Sequence, residues 1–301
     1  MKVLTQLNEN FGLSLALGYF DGLHKGHQKV ILNAVDYAKT LNKKSAVITF
    51  KDHPCCYFWG VSPKYILTRE ERRNKIAELG VDFLYELDFK DFFNISADNY
   101  LKDILIKYFS PIAISTGFNH NFGYNKEGNT CFLKDKSSEF GYKYFMIQAE
   151  TCNNCVISST KIRELLACGF IEEATEMLGY NFSVSGYVID GQKLGRVIGF
   201  RTANITYPNE LIELPSGAYY TKICHNGNIY PALTNFGVKP TVSDSNVKTL
   251  EAHILNFNEN IYGQNIKIEF IKKLRDEQKF SSIDELKSQI MSDIKYVKRF
   301  C

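Results

Sequence analysis

Two histidines close the segment Gly18-Tyr-Phe-Asp21-Gly22-Leu-His24-Lys-Gly26-His27. Its three glycines let a backbone turn sharply and approach a ligand closely. Where such a turn leads into a helix, the unpaired N–H groups and partial positive charge at the helix start hold an anion, and phosphate is the natural one. His24 and His27 can then both face that seat and donate hydrogen bonds to phosphate oxygens as negative charge builds in a transition state. A second glycine-rich run, from Gly186 through Gly191, Gly195, Arg196 and Gly199 to Thr202 and Asn204, allows another backbone cradle around phosphate. Thr202 and Asn204 supply neutral oxygens suited to a hard Mg²⁺ held mainly by ATP.

The elements that must position the first seat are visible around it. Residues 13–20 are a near-continuous apolar run, as a strand buried on both faces requires. Val30, Ile31, Ala34, Val35, Ala38 and Leu41 recur at three and four residues, which predicts a helix over 27–41. Further strands are expected over 45–50, 83–87, 111–115 and 143–148, alternating with helices over 68–79 and 97–109, the pattern of a parallel sheet covered by helices. Two short helices, 158–167 and 172–178, follow, with Gly169 as a left-handed cap between them. Beyond Gly179 the texture changes to short β-rich pieces at 182–189, 218–223, 229–235, 250–257 and 266–270, whose spacing suits a small antiparallel barrel. The end reads as a helix with Ser282 and Glu285 as a capping box and Leu286, Ile290, Ile294 and Val297 on one stripe.

Composition bounds the function. With 301 residues, 45% hydrophobic and 23% charged, the chain is too long for one small module and too apolar for a disordered one. A net charge of +3 from 36 basic and 33 acidic side chains gives no electrostatic case for a nucleic-acid or membrane partner, so any bound anion is held locally. No run of 18 apolar residues occurs, and a cytoplasmic location is expected. The eight irregularly spaced cysteines read as free thiols, Cys152-Asn-Asn-Cys155 included.

The Gly18 to His27 segment, together with Ile157-Ser-Ser-Thr-Lys-Ile-Arg163, resembles the His-x-Gly-His nucleotidylyltransferases and, within them, the bacterial bifunctional riboflavin kinase/FAD synthetase family. The resemblance covers nearly the whole chain. It implies an α/β nucleotidylyltransferase (Rossmann-like) domain over 1–180 and a small antiparallel β-barrel kinase domain with a C-terminal helix over 183–301. The implied chemistry is phosphorylation of riboflavin by ATP to give FMN, then adenylylation of FMN to give FAD and pyrophosphate, with Mg²⁺ as cofactor.

Residue by residue, the resemblance implies ATP contacts from Gly18, Phe20, Asp21, Gly22, Gly26, Ser159 and Thr160. His24, His27 and Arg163 would stabilise the reacting phosphates, and a guanidinium at a helix start is suited to holding phosphate bidentately. Asn119 lies in the loop 117–128, which is similar to the family's flavin- and ATP-facing loop, at a position associated with catalysis. In the second half Gly195, Arg196 and Gly199 match ATP-cradle positions, Thr202 and Asn204 the metal positions, Glu251 the general base and Arg275 a flavin-side position. Three residues depart from the family pattern: Asp52 and Arg201 replace Pro, and His120 replaces Phe. On those departures rests the alternative, a flavin-binding regulator or an adenylyltransferase with an impaired kinase half.

Overall fold

The computed structural model describes residues 1–190, 199–239 and 247–300. Gly195 and Arg196 therefore lie outside the described residues. The chain divides into two units, Met1–Ser159 and Thr160–Cys301.

In the first unit, β2 (Leu13–Leu17) is buried at every position, as its unbroken apolar run requires. It is flanked in a fully parallel six-stranded sheet of order β1-β4-β3-β2-β5-β8, with β1 Lys2–Leu4, β3 Lys44–Phe50, β4 Phe83–Leu87, β5 Ala113–Gly117 and β8 Lys143–Ile147. Helix α1 (Lys25–Thr40) covers the sheet with Val30, Ile31, Ala34, Val35 and Ala38, as the sequence stripe requires, but Leu41, the last expected member, is the C-cap and is exposed. Strand order reverses between β2 and β5, and in parallel α/β sheets the crevice at the carboxyl ends of such strands is where ligands bind.

Two helices of this unit were not anticipated. Helix α2 (Pro54–Trp59) is capped by His53, whose Nδ1 accepts the Cys55 N–H at 3.2 Å. After α3 (Arg69–Glu78), whose Thr68/Glu71 pair forms a complete capping box, comes α4, which runs through Ala97–Asn99, a π-helical stretch Tyr100–Ile106 and Lys107–Phe109. The short strands β6 (Asn121–Phe122) and β7 (Gly128–Asn129) pair within the loop after β5, and the second unforeseen helix, α5 (Thr130–Phe140), leads into β8. A hairpin of β9 (Thr151–Cys152) and β10 (Cys155–Val156) ends the unit, and all seven cysteines among the described residues are free thiols.

The second unit begins inside α6 (Ser159–Cys168), which ends at Gly169 with φ +81°, and continues with α7 (Ile171–Leu178). A six-stranded antiparallel sheet follows in the order β11-β16-β13-β14-β15-β12. Its strands are β11 Ser183–Tyr187, β12 Ala203–Thr206, β13 Gly217–His225, β14 Asn228–Lys239, β15 Val247–Ile254 and β16 Asn265–Asp276. A bridge from Ile189, just past β11, to Asn204 on β12 brings the two edges together and nearly closes the barrel. The C-terminal helix α8 (Ile283–Val297) is fastened to β16 by Arg275, whose guanidinium pairs with Asp293 at 2.9 Å. Its cap differs from the expected box: Ser282 accepts the Glu285 N–H, but the Glu285 carboxylate accepts from Ser281.

Candidate functional site

The first seat is assembled where β2 ends. Phe20 adopts a left-handed φ of 60° and Gly22 one of 75°, so the chain doubles back before α1 begins. A Cβ on Gly22 would lie 2.7 Å from Ile66 Cδ1, and one on Gly18 would lie 2.8 Å from the Phe20 ring, so both positions require the smallest residue. His24 caps α1, its Nδ1 accepting the His27 N–H at 3.3 Å. That bond places the His24 proton on Nε2, which is thereby a donor. The His24 and His27 rings are stacked, 3.6 Å between centroids, and burial lowers the His24 pKa to about 4. His24 is therefore neutral at pH 7.

Asp21, expected among the nucleotide contacts, has a different task. Its side chain is buried and accepts the Ile66 N–H at 3.1 Å, while its carbonyl accepts the Ser159 hydroxyl at 2.8 Å. A carboxylate facing triphosphate would repel it; here the charge is turned inward to hold the turn. Thr160 and Arg163 lie three residues apart on α6, on one side of that helix.

Beside the turn is a cavity of about 500 Å³. Its apolar wall is largely aromatic, with Tyr19, Phe58, Phe89, Phe92, Phe93 and Tyr100, and its polar members include His120, Asn121 and Lys126. Asn119 is exposed and outside that lining, its carbonyl accepting from the Asn121 side chain at 2.9 Å. The floor is braced by Arg72 and Glu86, which belong to no recognisable motif. Buried Arg72 donates to the carbonyls of Tyr19 and Phe50, at 3.2 and 2.9 Å, and its guanidinium sits 4.6 Å over the Tyr19 ring. Arg72 in turn pairs with Glu86, a fully buried carboxylate shared with Arg69 and Arg73. Burial alone would raise the Glu86 pKa, but the hydrogen bond from Arg73 and the charges of the three arginines hold it below the usual carboxylate range. The available signal was a lone Glu inside the apolar strand 83–87.

Two cavities are lined by described residues of the barrel. One, of about 440 Å³, is lined by Gly199, Arg201, Thr202 and Asn204 and by the loop residues Asn258 to Tyr262. The other, of about 340 Å³, is lined by Phe200, Thr202, Asn235, Glu251, Arg275 and Phe280, among others. Thr202 belongs to both walls. Asn204 sits opposite Glu251 in the β12/β15 ladder, and Glu251 sits opposite Asn235 in the β14/β15 ladder. The Asn204 side chain is buried with no hydrogen-bond partner for Oδ1 among the described residues. An orphaned neutral oxygen on a residue that shares a cavity wall with Thr202 is a donor set a phosphate-bound hard cation accepts, so the residue types fit Mg²⁺. No cluster of three His, Cys, Asp or Glu side chains able to hold a metal occurs among the described residues. Arg275 lines the second cavity, but its guanidinium is taken by Asp293 and lies over Phe280 at 5.7 Å, so it serves as a fixed wall.

Residues 7–161 match the FAD synthetase family and residues 178–301 the riboflavin kinase family. A bifunctional riboflavin kinase/FMN adenylyltransferase from Buchnera aphidicola subsp. Schizaphis graminum is 35% identical over 302 residues, 99% of this chain and 96% of that protein. The chain belongs to the bifunctional riboflavin kinase/FMN adenylyltransferase family. A Bacillus subtilis (strain 168) member is 36% identical over 93% of this chain and 89% of its own. A solved structure described as a macrolide-efflux protein from Streptococcus pneumoniae shares the fold at a TM-score of 0.90, with 29% identity over 99% of each chain. No helix among the described residues here is long and apolar enough to cross a membrane.

Within this riboflavin kinase/FMN adenylyltransferase chain, the three departures from the family pattern take defined places. Asp52 precedes His53, which keeps its capping role at α2. Arg201 contributes its backbone: its carbonyl accepts from His253 Nδ1 at 2.8 Å, a contact any residue, proline included, can make. His120 stacks on Phe122 in the wall of the aromatic cavity. The loop 117–128 supplies the His120 to Lys126 side of that cavity, whereas its aromatic wall, and the placing of the loop 258–262 against Thr202 and Asn204, arise only through tertiary packing.

Proposed function

We propose that the two reactions of the family divide between the units, adenylyl transfer at the end of β2 and phosphoryl transfer in the barrel. The observation that carries the reading is that each unit sets a phosphate-holding feature against a cavity able to take a flat ring: the α1 start beside the aromatic cavity, and Thr202 with Asn204 beside the cavity of Glu251.

In the first unit an FMN phosphate oxygen attacks the α-phosphorus of ATP and the α–β bridging oxygen leaves as pyrophosphate. The nucleophile is already anionic, so no base is required. Gly18, Phe20, Gly22 and Gly26 shape the seat, and the α1 N-terminus with the His24 and His27 N–H groups meets the developing charge. Ser159 locks the turn and Asn119 holds the FMN phosphate end, and on the motif alone Thr160 and Arg163 are assigned to the departing pyrophosphate. These side chains align the in-line displacement, which supplies most of the catalysis in such reactions.

In the barrel the ribityl primary hydroxyl of riboflavin attacks the γ-phosphorus and ADP leaves. Glu251 accepts the hydroxyl proton. Thr202 and Asn204 would hold Mg²⁺, which neutralises phosphate charge when bound with ATP. Gly199 lines the ATP cavity, and Gly195 and Arg196 belong to the same assignment. The free thiols suit a reducing, cytoplasmic setting.

Incubation of the purified protein with riboflavin, ATP and Mg²⁺, followed by separation of the flavins, tests the reading. FMN followed by FAD is the expected sequence of products; binding without turnover contradicts it. We place the functional boundary just after residue 180. A fragment of residues 1–180 should adenylylate supplied FMN and one of 183–301 should phosphorylate riboflavin. If neither folds while the whole chain does, the boundary is wrong.

A further inference from the structure

His120 has no part in the reactions as assigned. Its ring stacks on Phe122 at 22° and 5.8 Å between centroids, a place an apolar ring would fill equally well. Its Nε2 is shut off from solvent and lacks a hydrogen-bond partner among the described residues. A buried nitrogen left unpaired costs free energy that a phenylalanine at the same position would not. Burial lowers its pKa to about 4, so at pH 7 the imidazole is neutral and carries one N–H and one lone pair. His120 also stands among the few polar side chains of an otherwise largely aromatic wall, the position from which a pocket fixes the orientation of a ring.

We propose that His120 hydrogen-bonds a ring nitrogen of the flavin held in this cavity, accepting from N3–H or donating to N5, and so sets how FMN is seated for adenylyl transfer. The inference rests on the reading that the aromatic cavity takes the flavin of FMN. The phosphates are claimed by the α1 N-terminus, whereas a neutral imidazole among Phe58, Phe89, Phe92 and Phe93 matches the mixed apolar and polar rim of a flavin ring. The torsion about the His120 Cβ–Cγ bond is broad, so a turn of the ring presents a nitrogen to the ligand. The nitrogen then gains the partner it lacks.

The test is the KM for FMN in FAD formation by the full chain, for wild type, His120→Phe, His120→Gln and Phe93→Ala, with N3-methyl-FMN and 5-deaza-FMN as probes beside FMN. His120→Phe should raise the KM for FMN about three- to tenfold, the worth of one hydrogen bond between neutral groups, with kcat within about twofold. His120→Gln should recover part of the loss. Wild type should discriminate against one of the two analogues, and that discrimination should shrink towards unity in His120→Phe. If Phe93→Ala raises the KM while His120→Phe matches wild type for all three flavins, the cavity binds FMN but the proposal is overturned. If Phe93→Ala and His120→Phe both leave every KM unchanged, the cavity reading fails and takes the proposal with it. Should His120→Phe not fold, wild type decides: equal KM values for FMN and both analogues overturn the proposal.

Discussion

The cavity of the first unit and the Glu251 cavity of the barrel differ in charge in a way that fits the nucleophiles proposed for them. Among its described lining residues the first has no carboxylate and one cation, Lys126. The second has Glu251 and Glu277 in its wall. A phosphate monoester attacks as an anion and would be repelled by a carboxylate, whereas a ribityl hydroxyl must lose a proton as it attacks and needs one. The phosphate-holding devices differ too. On the proposed assignment the first unit uses a helix start and two histidines fixed by a tight turn, and the barrel uses the neutral oxygens of Thr202, just before β12, and Asn204, on it. On that assignment one chain carries two solutions to in-line displacement at phosphorus, each matched to what attacks.

Four measurements press on that contrast. Glu251→Gln keeps the shape of the side chain but removes its capacity to accept a proton, so FMN production should fall about 10²- to 10⁴-fold with riboflavin affinity little changed. FAD synthesis from supplied FMN should continue at the wild-type rate; a parallel loss would mean that the barrel carboxylate serves both reactions. His27→Ala or Arg163→Ala should lower FAD formation by about 10²-fold, the scale for one preorganised donor, while FMN formation survives. Equal losses in the two assays would point to a common site.

The third measurement concerns acid. Burial holds both His24 and His120 at a pKa of about 4, against 6.5 for an unburied imidazole. Between those values the unfolded chain binds protons that the folded one refuses, so each histidine makes stability fall as pH drops from about 6.5 to about 4, on the order of a few kcal/mol when complete. Urea unfolding followed in the 1–180 fragment should show this slope, and His120→Phe should flatten it; a slope unaltered by the substitution would show that His120 titrates normally. The smallest effect is expected for Arg201→Pro. Because the fold uses the Arg201 carbonyl, the kinase KM for ATP should stay within about twofold of wild type, and a larger rise would reveal a phosphate contact by the guanidinium.

Much of this was legible because local pattern and tertiary demand agree. The run around β2 and the stripe on α1 are dictated by burial on a parallel sheet, and the strand expected at 83–87 is observed at those residues. Strand β12 was hidden: Ala203–Thr206 carries the buried Asn204, and a polar side chain there signals a site before it signals a strand. Helix α5 was missed because four of its eleven residues are charged and one face alone, at Leu133, is buried. The aromatic cavity draws on residues from Leu17 to Lys126, and no spacing rule connects them. Asp21 and Arg275 show the converse, charged residues in matching motifs whose charge is satisfied within the protein.

The central claim is that two separate sites work in sequence on one flavin, and mixing two crippled proteins tests it most directly. With riboflavin, ATP and Mg²⁺, Glu251→Gln alone should leave riboflavin nearly untouched, and His27→Ala alone should stop at FMN. An equal mixture of the two should make FAD, because FMN released by the intact barrel of one chain is adenylylated by the intact first unit of the other. A mixture that accumulates FMN without FAD, or single variants that each lose both reactions, would contradict the account.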